Sequence, residues 1–308
     1  MALRVYRDDD DLPEEHLLGQ FIPLHYHFNM LQDEARVGAF REAIAMVVKP
    51  GMKVLELGGG TGILSYLAAR RGAQVWCVER NPELAETARR LLVRNRVADR
   101  VEVIKADALV YLPPEPVDVV ICEMLHVGLL REKQVEVLES FKRRYREAFG
   151  EPLPRFVPDS SLLAVQPVEQ SFEFFGYDAP VPMFQAPAAA HEGTRPLAEL
   201  TAYASVFYDE PTERRFRWSG DVTVEASGRA TAFRFTTQNL LAFDAERRLT
   251  ITWPNQFLVL PLEGPLSVSS GRTLRIGFDY TAGDPIRTLA ASITAELTAA
   301  ASRQRRAA

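Results

Sequence analysis

The chain has 308 residues, enough for two ordinary domains with real cores, and its 47% hydrophobic and 25% charged residues are the balance of a globular protein. A formal net charge of -5 leaves no electrostatic footprint for nucleic acid, no apolar run is long enough to span a bilayer, and the two cysteines, Cys77 and Cys122, make no disulfide framework. The N-terminus "MALRVYRDDDDLPEEH" turns acidic where a secretory signal needs its apolar stretch, so a cytoplasmic protein without nucleic-acid or membrane partners is expected.

Residues 1–30 read as an acidic and partly helical N-terminal segment, its "DDDDLPEEH" run being a solvated stretch. From about Asp33 to Val48, Ala35, Phe40, Ala43, Ile44 and Val47 recur at helical spacing, and "KPG" at Lys49–Gly51 stops that helix. Strands and helices then alternate: "KVLEL" strand, "GGGTGILSYLAARRG" turn and helix, "QVWCVE" strand, "PELAETARRLLVRN" helix, "RVEVIKAD" strand and "VDVVICE" strand. That alternation predicts a parallel, doubly wound, Rossmann-like sheet over residues 31–157.

Around "FGEPLPRFVP" the texture changes, with Pro152, Pro154 and Pro158 marking a linker. Beyond it, "ATAFRFTT", "LTITW", "QFLVLPL" and "TLRIGFDYT" alternate with period two, and Leu274, Ile276, Phe278 and Tyr280 share one strand face. Residues 158–298 therefore read as a mostly antiparallel barrel or sandwich. The segment "PVPMFQAPAAAHEGTRP" reads as an irregular excursion, and residues 299–308 as a flexible basic tail.

Gly58, Gly60 and Gly62 follow the first strand directly and precede a helix, where the backbone passes close under a ligand at the carboxyl edge of a parallel sheet. Glu79 ends the second strand, where an acidic side chain accepts hydrogen bonds from ribose hydroxyls, and Asp107 ends the third, near where an adenine would lie. A dinucleotide fingerprint wants a small residue at position 63, and Ile63 stands there, so the G-x-G-x-G pattern favours S-adenosylmethionine over NAD.

Glu123 follows the strand "VDVVIC" and so emerges beside that cofactor; Glu132 lies nine positions on, at the head of the helix "EKQVEVLESFKRRYREAF". Taken singly, each has a plain structural reading: a polar strand end, and a carboxylate complementing a helix dipole. Together they suggest a hairpin loop whose carboxylates face one pocket, and a guanidinium is the cation whose planar fork matches them. Like charges about 4 Å apart cost roughly 4 kcal/mol at an effective dielectric of 20, so a guanidinium approaching a sulfonium needs such anionic compensation. His126, inside the loop, has the right unperturbed pKa for a general base, or is a loop histidine packed on the second half.

These residues resemble the protein arginine methyltransferases. The likeness runs through "HYHFNMLQDEAR", "VLELGGGTGILSYLAARRGAQVWCVE", "VDVVICEMLHVGLLRE" and "FVPD", and continues in "FFGYD" and "TWPNQFLVLPLEGPLSVSSG". The paired glutamates match that family's double-E loop, spacing included. The resemblance implies a class I fold followed by a β domain, S-adenosylmethionine as cofactor, and a guanidino nitrogen as acceptor, in free arginine, a related metabolite or a peptide. By position it implies that His27 and Met30 line the cofactor, that Arg36 grips its carboxylate and orders the double-E loop, that Glu79 holds the ribose, and that Glu123, Glu132 and Trp253 form the acceptor side. It also implies a homodimer joined by an arm near residues 172–198. No metal is expected. The chain departs from the family at Leu17–Phe21, which lacks the tyrosines of the aromatic motif, at Thr252, where a histidine is usual, and at Met124, Leu125 and His126 inside the loop. Two other readings stay open: N- or O-methylation of another small molecule with Glu123 as base, and a binding protein that holds the cofactor without turnover.

Overall fold

Four of the five residues of strand β1 (Lys53–Leu57) are buried, as an aliphatic run at the centre of a parallel sheet requires. In the computed structural model, which describes residues 22–187 and 190–298, this strand is flanked by β2 (Gln74–Glu79), β3 (Val101–Lys105), β4 (Val119–Cys122) and β5 (Arg155–Val157) in the order β3-β2-β1-β4-β5. All four pairings are parallel. The order in which strands are added reverses between β1 and β4, and in open α/β sheets that switch point opens a crevice at the strands' carboxyl ends.

Three of the helices matter for what lies in the crevice. α1 (Leu24–Gln32) runs into α2 (Glu34–Val47), whose N-terminus is capped by Asp33 accepting from the Arg36 amide at 2.9 Å. Phe40, Ala43, Ile44 and Val47 form the buried face of α2 at the spacing expected. The helix between β4 and β5, Gln134–Phe149, starts two residues beyond Glu132, so that glutamate precedes the helix instead of heading it.

The proline-rich segment expected as a linker carries β5 itself. Its three residues pair with Val119–Ile121, and the Arg155 amide donates to the Asp118 carbonyl at 3.0 Å. Prolines bracket these residues at positions 154 and 158 without interrupting them, which an edge strand tolerates.

The second half is a sandwich and not a closed barrel. A seven-stranded antiparallel sheet is built around Ser160–Gln170 and the long strand Gly228–Asp244, and a three-stranded sheet joins Arg215–Thr223, Thr273–Thr281 and Thr294–Leu297. Leu274, Ile276, Phe278 and Tyr280 are all buried, on the shared face expected of them. Phe278 meets Tyr203 at a ring separation of 4.9 Å and Phe235 at 5.3 Å, both from the larger sheet. The excursion expected to be irregular contains Met183–Gln185, which pairs with Phe257–Val259, and Thr194–Pro196, which pairs with Val168–Gln170; before them stands a hairpin of Glu173–Phe174 and Tyr177–Asp178. The "DDDDLPEEH" run, Leu17–Phe21, residues 188–189 and the tail at 299–308 lie outside the described residues. No helix among the described residues is long and apolar enough to cross a membrane.

The halves meet along α2. Trp253, in the strand Leu249–Pro254, is buried beneath that helix, with its ring 6.3 Å from Phe40 and 5.4 Å from the Arg36 guanidinium carbon. Trp253→Ala empties this seam and is expected to lower stability by about 3–5 kcal/mol. Chemical denaturation of the variant measures the loss; a change below about 1 kcal/mol would mean the seam carries no load.

Candidate functional site

Two loops meet at the switch point. After β1, the Gly58 and Gly59 amides donate to the Val78 carbonyl at 3.0 and 2.9 Å, and the Gly60 amide donates to the Glu79 carboxylate at 2.8 Å. The other Glu79 oxygen accepts from the Asn81 amide at 2.7 Å, so this side chain ties the turn to the end of β2 while lining the pocket. Burial nevertheless holds its pKa above the ordinary carboxylate value. Beneath the turn, Glu56 is buried, accepts from the Ser65 amide at 2.9 Å and from the Ser65 hydroxyl, and is pushed up to about 7 by burial.

Gly60 has φ +54°, and a Cβ there would meet the His27 ring at 2.9 Å, so the turn needs glycine twice over, for its conformation and for the ring laid on it. Burial and the Arg36 charge lower the pKa of His27, and its Nε2 is buried with no partner among the described residues. Such an orphan, facing a glycine cradle, suits a ligand that brings its own polar atoms. Met30, Asp107 and the glycines at 58 and 60 line the same pocket; Gly62 is the N-cap of the helix that follows. Asp107 keeps one oxygen on the Leu109 amide at 2.9 Å and leaves its half-exposed carboxylate at the pocket edge. A carboxylate at the end of β2, another at the end of β3 and a bare backbone turn between them fit a nucleoside cofactor with an amino-acid tail.

The second loop leaves β4. Gln134 clasps its start: Oε1 accepts from the Met124 amide at 2.9 Å and Nε2 donates to the Cys122 carbonyl at 2.8 Å. The middle is strapped to the second half, with the Leu125 carbonyl accepting from Asn255 at 3.0 Å, the Gly128 amide donating to Thr237 at 2.8 Å, and the Gly128 carbonyl accepting from Tyr280 at 2.8 Å. Gly128 at φ +68°, Leu129 at +55° and Arg131 at +62° turn the chain back, which is how the hairpin expected from the sequence is made.

The hairpin brings Glu123 and Glu132 to one pocket with Arg36. Arg36 Nη2 makes an ion pair with Glu123 Oε2, both side chains being largely buried, and the Arg36 and Arg131 charges pull against the burial that raises Glu132 to about 7. Met124 lies across Gly58, so the two loops touch.

Two expected site residues stand elsewhere. His126 does not line the pocket: its ring packs edge-on against Phe184 at 5.6 Å, and burial lowers its pKa to about 4, which makes it a weak base turned the wrong way. Trp253 likewise lies outside the pocket lining and backs Arg36. Sequence reading missed Asp33, which caps α2 and adds its charge to Arg36, and Gln134, Thr237, Asn255 and Tyr280, which hold the loop. Asp33 stood before a helical pattern and was legible as a cap; the loop holders, scattered over half the chain, carry no local signal.

Residues 54–148 match the model of a methyltransferase domain family. The chain is 26% identical over 264 residues to an uncharacterized protein of Methanocaldococcus jannaschii, covering 86% of this chain and 95% of that one. It is 27% identical over 284 residues to the arginine N(omega)-methyltransferase of Streptomyces achromogenes subsp. streptozoticus, covering 83% and 77%. Against protein arginine N-methyltransferase 2 of Xenopus tropicalis the identity is 34%, but over 45% of this chain and 33% of that one. Among solved structures, Arabidopsis thaliana protein arginine methyltransferase 10 superposes with a TM-score of 0.69 at 19% identity, covering 83% and 87%. A Trypanosoma brucei PRMT1 enzyme-prozyme heterotetrameric complex with AdoHcy gives 0.68 at 19%, covering 89% and 98%.

Gly60→Ala should weaken S-adenosylhomocysteine binding at least about 10-fold by calorimetry while leaving the fold intact, since the added methyl strains the turn and displaces His27; unchanged affinity would remove the turn from the cofactor site. Pocket chemistry and relatives agree on the conclusion that this chain is a class I S-adenosylmethionine-dependent methyltransferase, related to the arginine methyltransferases, with S-adenosylmethionine as its cofactor.

Proposed function

We propose that the enzyme methylates a guanidino nitrogen, with Glu123 and Glu132 binding and orienting the guanidinium. The observation that carries this reading is the buried carboxylate pair with a guanidinium, that of Arg36, already against it. The Arg36 and Arg131 charges offset the burial of Glu132 only in part, since its pKa still stands near 7, and a second planar cation against the pair would relieve the rest. S-adenosylmethionine, when bound, supplies an electrophilic methyl group on a sulfonium. Glu123 and Glu132 hold the acceptor's fork, while Glu79 and Asp107 would hold the cofactor's nucleoside and His27 and Met30 would line its site. Arg36 keeps the double-E loop in place and offers its remaining donors to the cofactor's carboxylate. One nitrogen gains a carbon and loses a proton, and Glu132, its pKa near 7, is suited to accept that proton.

Free arginine is the acceptor this reading favours first. The Streptomyces relative, which matches over most of both chains, bears the name of an arginine N(omega)-methyltransferase, whereas the Xenopus protein methyltransferase matches over less than half of this one. Pairing of two subunits through residues 172–198 is part of the proposal, supported by the exposed Phe174, Phe175, Tyr177 and Val181. Light scattering should then give twice the chain's mass, and Phe175→Asp should halve it; a wild-type monomer at micromolar concentration contradicts the pairing.

The catalytic proposal is tested by S-adenosylhomocysteine release with L-arginine. Glu132→Gln should reduce kcat/KM by at least about 100-fold, because it removes one carboxylate from a buried charge-assisted pair. The sign of the pH dependence follows from the raised pKa: below about 7 Glu132 carries a proton and cannot bind a cation, so wild-type kcat/KM should rise with pH and level off above that value. A flat profile from pH 6 to 8, or a Glu132→Gln enzyme with wild-type turnover, would move the acceptor to another chemical class.

A further inference from the structure

Behind the loop that carries Glu123 and Glu132 runs a circuit of buried polar side chains that begins and ends on that loop. We propose that this circuit, through Gln134, Tyr208, Ser161, Asn239 and Asn255, fixes the separation of the two carboxylates, so that Tyr208, Ser161, Asn239 and Asn255 are positioning residues for the acceptor. Its functional part rests on the guanidinium reading above.

The five side chains are 0–6% exposed, and they come from segments far apart in the chain. Gln134 holds the Met124 amide and the Cys122 carbonyl, one on each side of Glu123. Its side chain also opposes the burial that raises the Tyr208 pKa, and the Tyr208 hydroxyl lies 2.8 Å from Ser161 Oγ. Ser161 donates to Asn239 Oδ1 at 2.6 Å. Asn239 Nδ2 donates to Asn255 Oδ1 at 2.7 Å and to the Trp253 carbonyl at 3.1 Å, and Asn255 Nδ2 donates to the Leu125 carbonyl at 3.0 Å.

Proton direction around the circuit is dictated throughout. The single Ser161 proton goes to Asn239, so the Tyr208 proton must go to Ser161, which leaves the Tyr208 oxygen as an acceptor on the Gln134 side. Backbone groups of the loop fix the Gln134 and Asn255 amides at either end, and the Asn239 amide can face only one way between them. No member can turn over without stranding a buried polar atom. An aliphatic seam would bury the same area without setting three backbone groups around Glu123 to within a hydrogen-bond length. The circuit therefore transmits the register of the second half directly to the site.

Tyr208→Phe removes one hydroxyl and keeps the ring's packing; Ser161→Ala opens the circuit at the next link. Amide exchange followed by mass spectrometry on the whole chain should show residues 122–132 exchanging at least about 10-fold faster in both variants, with residues 58–62 unchanged and S-adenosylhomocysteine affinity within twofold of wild type. Ser161→Thr, which keeps the hydroxyl, should restore wild-type exchange. With L-arginine, kcat/KM should fall about 10-fold in Tyr208→Phe and Ser161→Ala. Unchanged exchange over 122–132, or acceleration spread over both halves of the molecule, overturns the proposal. Glu132→Gln run alongside separates the two claims: wild-type methyl transfer there would sink the guanidinium reading, while the exchange data still decide the circuit.

Discussion

The buried cluster of Arg36, Glu123 and Glu132 is the constraint around which the rest of the structure is arranged. Bringing carboxylates out of water is expensive, and the Arg36 and Arg131 charges relieve only part of the cost, which is why burial still leaves Glu132 near 7. An arrangement this unfavourable persists only when the surrounding structure holds it. Each neighbouring element does so: α2 presents Arg36, Asp33 caps that helix, Trp253 backs the guanidinium, and the loop between the glutamates is tied at both ends and in the middle.

This explains the division of labour between the halves. The parallel sheet supplies a crevice and a glycine turn, features that bind a nucleoside whatever chemistry follows. Among the described residues the sandwich contributes none to the pocket lining, yet it satisfies the loop's backbone through Asn255, Thr237, Tyr280 and the carbonyl of Asp284. Its contacts hold the loop that carries both glutamates, the loop proposed to select the acceptor.

What was legible in the sequence was whatever depends on local period or spacing. The alternation of strand and helix gave the parallel sheet, and period-two runs such as Leu274 to Tyr280 gave the antiparallel half. The glycine turn, Glu79, Asp107 and Glu123 came from positions next to strand ends, Glu132 from its spacing to Glu123, and they line one pocket. Where reasoning went astray, a tertiary fact had overridden a local one. Prolines at 152, 154 and 158 suggested a linker, but an edge strand tolerates prolines at its borders, so β5 forms between them. His126 looked like a base because of its chemistry, whereas the left-handed residues after it set the loop's path and turn its ring to Phe184. The circuit through Tyr208 and Asn239 had no signature at all, since its members come from separate strands and meet only in the folded seam.

The central claim is that Glu123 and Glu132 together bind a guanidinium, and a crystal structure of the enzyme with S-adenosylhomocysteine and L-arginine tests it most directly. In that complex the arginine guanidinium is expected within about 3 Å of both carboxylates, the hydrogen-bond range, with Arg36 still paired to Glu123 and its remaining donors toward the cofactor's carboxylate. An arginine bound away from Glu123 and Glu132 would contradict this and make the carboxylate pair a structural ion cluster.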